Sequence, residues 1–141
     1  MISYKYYLAY GMNTNIEQMM HRCPNAIDLG SVILRNHRLK FKTFCDIERY
    51  NGSDMECVLW SITPKCETSL DRLEGYPDYY GKRNLTVWHD DKPIRAMIYY
   101  MTDASKLGPP SKNYLNMVTE GYREHGIGVN QIIEALEEIC I

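Results

Sequence analysis

Three short segments of the sequence carry residue types that can do chemistry, and each lies where a strand or a helix begins or ends. The first reads Tyr10-Gly11-Met12-Asn13 and follows an apolar stretch typical of a strand. Gly11 permits a turn with positive φ, and the free N–H groups of such a turn and of the following helix converge where an anion can bind. Taken alone, the segment is more simply an ordinary strand-to-helix turn, because Gly and Asn are common turn residues.

The second segment ends an amphipathic helix with Glu74, which is followed by Gly75 and Tyr76. The negative end of a helix dipole disfavours an ionised carboxylate. If Glu74 also faces a tyrosine-lined cavity, desolvation raises its pKa further and makes it a proton carrier near neutral pH. The alternative is a solvated surface charge, and we interpret the neighbouring Asp71 and Arg72 in that way.

The third segment, Pro110 to Tyr114, opens a helix. Ser111 is a good N-cap and needs no function to explain it. Tyr114 either fills the core or reaches a pocket with its hydroxyl, and the sequence leaves both open. The chain has 12 Tyr beside only two Trp and two Phe. Because a buried tyrosine hydroxyl needs a partner, this bias favours a polar pocket lined by some of these rings.

The elements that must position these segments follow from the pattern of apolar residues. Strands are predicted over residues 4–10, 26–34, 39–45, 55–62, 84–88 and 94–101, with a connection at 35–38 and surface loops at 46–54 and 103–110. Helices are predicted after a capping box of Thr14 and Glu17, from the N-cap Thr63 to Gly75, from Ser111 to about His125, and around residues 132–139. Strands dominate the first hundred residues and helices the rest. The prediction is an α+β fold with a mixed, barrel-like sheet flanked by helices.

Length and composition limit the classes of protein to consider. With 141 residues the chain is expected to form one domain over residues 1–141, large enough to need neither metal nor disulfide. A formal net charge of -2 without a basic stripe argues against a nucleic-acid partner. The apolar runs are shorter than the roughly 20 residues of a membrane span, and no signal-peptide cleavage site is evident. A soluble, cytoplasmic protein is therefore expected.

Cysteines and histidines give no sign of a metal or a disulfide framework. The cysteines are Cys23, Cys45, Cys57, Cys66 and Cys140, and the histidines are His21, His37, His89 and His125. The cysteines are odd in number, irregularly spaced and without a C-x-x-C pair, so they are expected to be reduced and mostly buried. The histidines lack zinc-like spacing.

In their order, the three segments resemble the γ-glutamylcyclotransferase-like superfamily, whose members begin with a strand and a Tyr-Gly-Ser-Asn-Leu turn and carry an essential Glu after the middle helix. Tyr10-Gly11-Met12-Asn13-Thr14 is the counterpart of the turn, and residues 70–76 around Glu74 match the second motif. Residues 30–41, 83–87 and 110–126 add further agreement, so the resemblance covers nearly the whole chain. The chain departs from the pattern at Met12, usually Ser, and at Cys57, usually Gly.

The resemblance implies an enzyme in which the α-amine of a γ-glutamyl amide attacks its own γ-carbonyl, releasing 5-oxoproline and an amine or amino acid without a metal or other cofactor. Glu74 would act as general acid and base. The implied substrate-binding residues are Tyr10, Gly11, Met12, Asn13, Tyr76 and Tyr114. The partner is then a small γ-glutamyl molecule, and a homodimer stays open. The alternative is a non-catalytic module that captures a small anionic metabolite or nucleotide-like signal in the same cavity.

Overall fold

A five-stranded mixed sheet organises the computed structural model, which describes residues 4–103 and 106–139. The strands are β1 (Lys5–Ala9), β2 (Ile27–Lys42), β3 (Phe44–Ile62), β4 (Tyr80–His89) and β5 (Lys92–Met101). Their order across the sheet is β2-β3-β1-β5-β4. The β1–β5 pair is parallel and the other pairs are antiparallel. The sheet is therefore mixed, as predicted.

Four helices accompany the sheet in the described part of the chain: α1 (Ile16–Arg22), α2 (Pro64–Glu74), α3 (Lys112–Glu124) and α4 (Asn130–Ile139). The predicted signals for α2 and α3 are confirmed. Thr63 and Ser111 are N-caps whose side chains accept hydrogen bonds from backbone N–H groups in the first turn. Gly75 ends α2 in the left-handed conformation with φ 65°. The prediction of an α+β fold, with helices flanking the sheet, is confirmed. None of the described helices has the length and apolar character needed to cross a membrane.

The sheet curls so that its two edge strands approach each other. Arg83 on β4 donates to His37 on β2 at 2.9 Å, and the ring of His89 lies 3.2 Å from the carbonyl oxygen of Leu29. These are side-chain bonds, and within the described residues no ladder joins β2 to β4. The barrel-like curvature is therefore present while the sheet stays open.

The longest hairpin differs from the prediction. Residues 27–42 form the single strand β2 and residue 44 begins β3, instead of two strands, 26–34 and 39–45, joined at 35–38. The predicted loop at 46–54 belongs to β3. The chain reverses at Thr43, whose φ is 69°, so that Lys42 faces Phe44. The polar sequence of residues 46–54 resembles that of a loop because most residues in this part of β3 are exposed to solvent. The other predicted loop, at 103–110, includes residues 104 and 105, which lie outside the described residues.

The turn after β1 is also built differently from the prediction. Asn15, rather than Thr14, caps α1, and its side chain accepts from the N–H of Gln18 at 3.1 Å. The hydroxyl of Thr14 instead donates to the carbonyl of Gly11 at 2.7 Å. The expected positive φ at Gly11 is wrong, since φ is −122°. Glycine is needed there because a Cβ would lie 3.0 Å from both the Cβ of Cys45 and the hydroxyl of Tyr114.

The expectation that all cysteines are reduced is wrong. Cys23 and Cys66 form a disulfide that ties the end of α1 to the first turn of α2. Tertiary packing brings together residues 43 positions apart, which sequence spacing does not reveal. Cys45 and Cys57 are free and buried, as predicted, and Cys140 lies outside the described residues.

Candidate active site

A cavity of about 250 Å³ opens where the end of β1, the turn after it, the end of α2 and the start of α3 meet. Its lining is aromatic with a few polar groups: Tyr7, Tyr10, Gly11, Met12, Asn13, Arg22, Phe44, Cys45, Leu73, Glu74, Tyr79, Tyr80, Tyr99 and Tyr114. Six of the seven residues predicted from the sequence are among them. Asn13 and Glu74, 61 residues apart in sequence, therefore line the same cavity.

The turn over residues 12–14 is held by groups from three other elements. Asn13, which is buried, donates from Nδ2 to the hydroxyl of Tyr7 at 3.0 Å and accepts from the indole N–H of Trp60 at its carbonyl, also at 3.0 Å. From the other side α3 packs so closely that a Cβ on Gly121 would lie 2.6 Å from the backbone nitrogen of Asn15. These contacts fix the position of the backbone that faces the cavity.

Three backbone N–H groups of this turn have no partner. Thr14 is the first residue of the 3-10 turn whose N–H is bonded, and it donates to the carbonyl of Gly11 at 3.1 Å. The N–H groups of Gly11, Met12 and Asn13 form no hydrogen bond within residues 4–103 and 106–139. Consecutive unpaired N–H groups beside a cavity can bind an anionic group.

Glu74 is the carboxyl group of the cavity and has an unusual acidity. Burial raises its pKa to about 7, and the positive charge of Arg22 partly opposes that shift. Its position follows from the sequence, because α2 ends here at the left-handed Gly75. A carboxyl group with this pKa exchanges a proton readily at neutral pH.

Asp71 is not the solvated charge that the sequence led us to expect. Its carboxylate accepts from the hydroxyl of Tyr99 at 2.6 Å and pairs with Lys82 at 2.9 Å. Arg72 is exposed, as predicted. Asp71 lies one turn before Glu74 on α2 and anchors that helix to β4 and β5.

Four tyrosine hydroxyls of the cavity differ in the hydrogen bonds that they form. Those of Tyr10 and Tyr80 donate to the carbonyls of Tyr99 and Cys45, at 2.7 and 2.8 Å. The hydroxyl of Tyr7 accepts from Asn13 and that of Tyr114 accepts from the N–H of Cys45, both at 3.0 Å, and Tyr114 also donates to the thiol of Cys45. Burial raises the pKa of both Tyr7 and Tyr114, so each keeps its proton at neutral pH, and a thiol is a weak acceptor that a ligand can replace at Tyr114.

Sequence and structure comparisons place the chain among known proteins. A model of the AIG2-like family matches residues 54–132, more than half of the chain. The chain belongs to the AIG2-like family. No curated protein matches it.

Among solved structures, this AIG2-like protein is similar to one named gamma-glutamyl cyclotransferase, with 25% identity, a TM-score of 0.82, and coverage of 90% of this chain and 83% of that one. It is similar to an uncharacterized protein from Homo sapiens, with 26% identity, a TM-score of 0.80, and coverage of 89% and 82%. YkqA from Bacillus subtilis shares the fold at 16% identity and a TM-score of 0.78, covering 96% of this chain and 54% of that one. These matches confirm the resemblance to the γ-glutamylcyclotransferase-like superfamily.

Tyr76 is the one predicted residue that the AIG2-like structure does not bring into the cavity. After Gly75 the chain turns back, and the N–H of Tyr76 bonds to the carbonyl of Asp71 at 2.9 Å. Tyr76 is 41% exposed, and the ammonium of Lys82 lies over its ring, 4.2 Å from the centroid. Tyr76 therefore packs against Lys82 instead of lining the cavity with Glu74.

Sequence reasoning missed several residues that the AIG2-like cavity uses. Arg22 is the last residue of α1 and lines the cavity. Its position at the end of a predicted helix gave no sign of this role. Phe44, Leu73 and Tyr79 line the opening while 42 to 49% exposed, so the rim is apolar. Cys45 also lines the cavity, but burial raises the pKa of its thiol to about 12, which keeps it protonated. Within the described residues, no group of three or more His, Cys, Asp or Glu side chains is placed to hold a metal ion.

Proposed function

We propose that this AIG2-like protein is a γ-glutamyl cyclotransferase that converts a γ-glutamyl amide into 5-oxoproline and a free amine or amino acid. The observation that carries the proposal is Glu74, a carboxyl group with a pKa of about 7 in the same cavity as three unpaired backbone N–H groups. The structural similarity to a protein named gamma-glutamyl cyclotransferase, at 25% identity, supports it.

The unpaired N–H groups of Gly11, Met12 and Asn13 would bind the α-carboxylate of the glutamyl group. Because these donors belong to the backbone, a Met at position 12 leaves them in place. Holding the carboxylate here fixes one end of the glutamyl chain. The γ-carbonyl can then fold back toward the α-amine. Ring closure is an intramolecular reaction, because both reacting groups belong to the same bound molecule.

Glu74 would move the protons. As a carboxylate it accepts a proton from the α-ammonium, and the freed amine attacks the γ-carbonyl carbon to form the new C–N bond. Collapse of the tetrahedral intermediate breaks the original amide C–N bond. Two protons leave the attacking nitrogen and two reach the departing nitrogen, and Glu74 can relay each in turn. The balance yields 5-oxoproline and a protonated amine without consuming water.

The oxyanion of the intermediate would be stabilised by tyrosine hydroxyls that still have a proton to donate. Tyr7 meets this requirement, since among the described residues its hydroxyl only accepts a hydrogen bond. Tyr114 would meet it by exchanging its bond to the Cys45 sulfur, a weak acceptor, for one to the oxyanion. Tyr10 does not, because its hydroxyl donates to the carbonyl of Tyr99. Tyr10 therefore shapes the cavity wall.

The test is mass spectrometry for 5-oxoproline after incubating the protein with γ-glutamyl dipeptides, γ-glutamylamines and glutathione. Glu74→Gln keeps the shape of the side chain and removes the proton carrier, so we expect the rate to fall by roughly 10²- to 10⁴-fold. The matched control is Glu137→Gln on the exposed face of α4, which should react at the wild-type rate. An unaltered rate in Glu74→Gln would exclude the role of Glu74. If the wild type forms no product but retains a bound metabolite, the protein is a binding module instead.

A further inference from the structure

Arg22 is fixed in the cavity by one side of its guanidinium group. Its Nη1 donates to the backbone carbonyl of Gln18 at 2.9 Å and to the side-chain Oε1 of the same residue at 3.1 Å. Both acceptors lie one turn earlier on α1. The orientation of the guanidinium plane is therefore set by its own helix.

The opposite edge of the same group has no oxygen acceptor among residues 4–103 and 106–139. Nε is buried and without a partner, and Nη2 donates to the thioether sulfur of Met12 at 3.2 Å. A thioether is a weak acceptor. Nε and Nη2 are two parallel donors in one plane, the geometry that binds both oxygens of a carboxylate.

Arg22 is also the single cation among the residues that line this cavity in the described part of the chain. Glu74, the single carboxylate of the lining, forms no ion pair with it. A buried donor left without an acceptor costs free energy, and a charged one costs more. An anionic ligand would remove that cost.

We propose that the Nε–Nη2 edge of Arg22 binds a carboxylate of the substrate. The identity of the ligand rests on the proposed function, which supplies a γ-glutamyl compound with two possible carboxylates, the α-carboxylate of the glutamyl group and one on the amine part. Met12 has three rotatable bonds and can move aside when the carboxylate arrives. Arg22 is thus a substrate-binding residue in addition to the backbone of the turn.

Isothermal titration calorimetry of the Glu74→Gln protein tests this, since that variant should bind without turnover. Three ligands separate the carboxylates: γ-glutamylglycine has both, γ-glutamylethylamide has only the α-carboxylate, and the α-carboxamide of γ-glutamylglycine has only the other. Adding Arg22→Gln should weaken the affinity for the two ligands that carry the recognised carboxylate by about 10- to 100-fold. It should leave the affinity for the ligand without that carboxylate unchanged. The ligand whose affinity does not change thereby identifies which carboxylate Arg22 binds.

Arg22→Lys keeps the charge without the planar fork and should give an intermediate loss. Arg72→Gln, on the exposed surface of α2, should change nothing. An equal loss for all three ligands, or no loss for any, would overturn the proposal. The wild-type 5-oxoproline assay separates the two hypotheses: product formation with binding independent of Arg22 refutes only this inference, whereas Arg22-dependent binding without product refutes only the cyclotransferase.

Discussion

The raised pKa of Glu74 determines how the proposed reaction should depend on pH. The reaction needs the carboxylate form, because only that form accepts a proton from the substrate ammonium. A folded-state pKa of about 7 means that this form becomes scarcer as the pH falls below 7. Activity should therefore rise with pH on the acid side of neutrality.

The size of the effect follows from the ionised fraction of Glu74. With a pKa of about 7, roughly one molecule in a hundred carries ionised Glu74 at pH 5 and roughly one in eleven at pH 6, so kcat/KM should increase about ninefold. A glutamate with the ordinary pKa of about 4.5 would give only about a 1.3-fold increase over the same interval. The substrate ammonium stays protonated throughout, since α-amino groups titrate near pH 7.7–8.0.

The assay is kcat/KM for 5-oxoproline release at intervals of half a pH unit from pH 5 to 7, in buffers of constant ionic strength. Glu137→Gln should give the wild-type profile, because that residue is exposed and does not line the cavity. Circular dichroism at each pH checks that the protein stays folded. A nearly flat profile between pH 5 and 6 would refute the argument that burial controls the acidity of Glu74.

Three further predictions concern stability. Glu74→Gln should raise the melting temperature more at pH 8 than at pH 5. The reason is that the buried carboxyl group destabilises the fold as the pH rises from its ordinary pKa of about 4.5 through its folded-state pKa of about 7. An equal gain at both pH values would count against this. Replacing Cys23 and Cys66 by Ser should lower the free energy of unfolding in urea by about 4 kcal/mol, from loop-closure entropy over 43 residues, and a change under about 1 kcal/mol would contradict it. Gly121→Ala should cost about 1–3 kcal/mol by overpacking the turn, whereas Gly128→Ala, with open space around it, should be nearly neutral in the same titration.

The parts of the site that sequence could predict are those encoded locally. Thr63, Ser111 and Gly75 are capping residues whose chemistry is complete within one helical turn, and their roles are confirmed. The environment of Glu74 was a conditional prediction, because the condition was a cavity that sequence alone does not show. The structure supplies that cavity and with it the raised pKa.

The parts that sequence could not predict depend on contacts between distant segments. Arg22 and Tyr7 belong to the cavity only because α1 and β1 converge on α2 and α3. The Cys23–Cys66 disulfide has the same origin. At Gly11 the residue type was informative but the reason was different, since close packing against Cys45 replaced the expected positive φ.

The position of β1 in the sheet has a consequence for folding during synthesis. This strand leaves the ribosome before the other four strands, yet its parallel partner is β5, and the carbonyl of Tyr10, just after the strand, receives a hydrogen bond from the hydroxyl of Tyr122, 112 residues later. At about 5–20 residues per second, on the order of ten seconds pass before that partner has been made. The β2–β3 hairpin, whose contacts are local, can form during this interval, whereas the cavity must wait for α3. β1 can therefore pair with β3 early, but it completes its contacts only after β5 and α3 have been made.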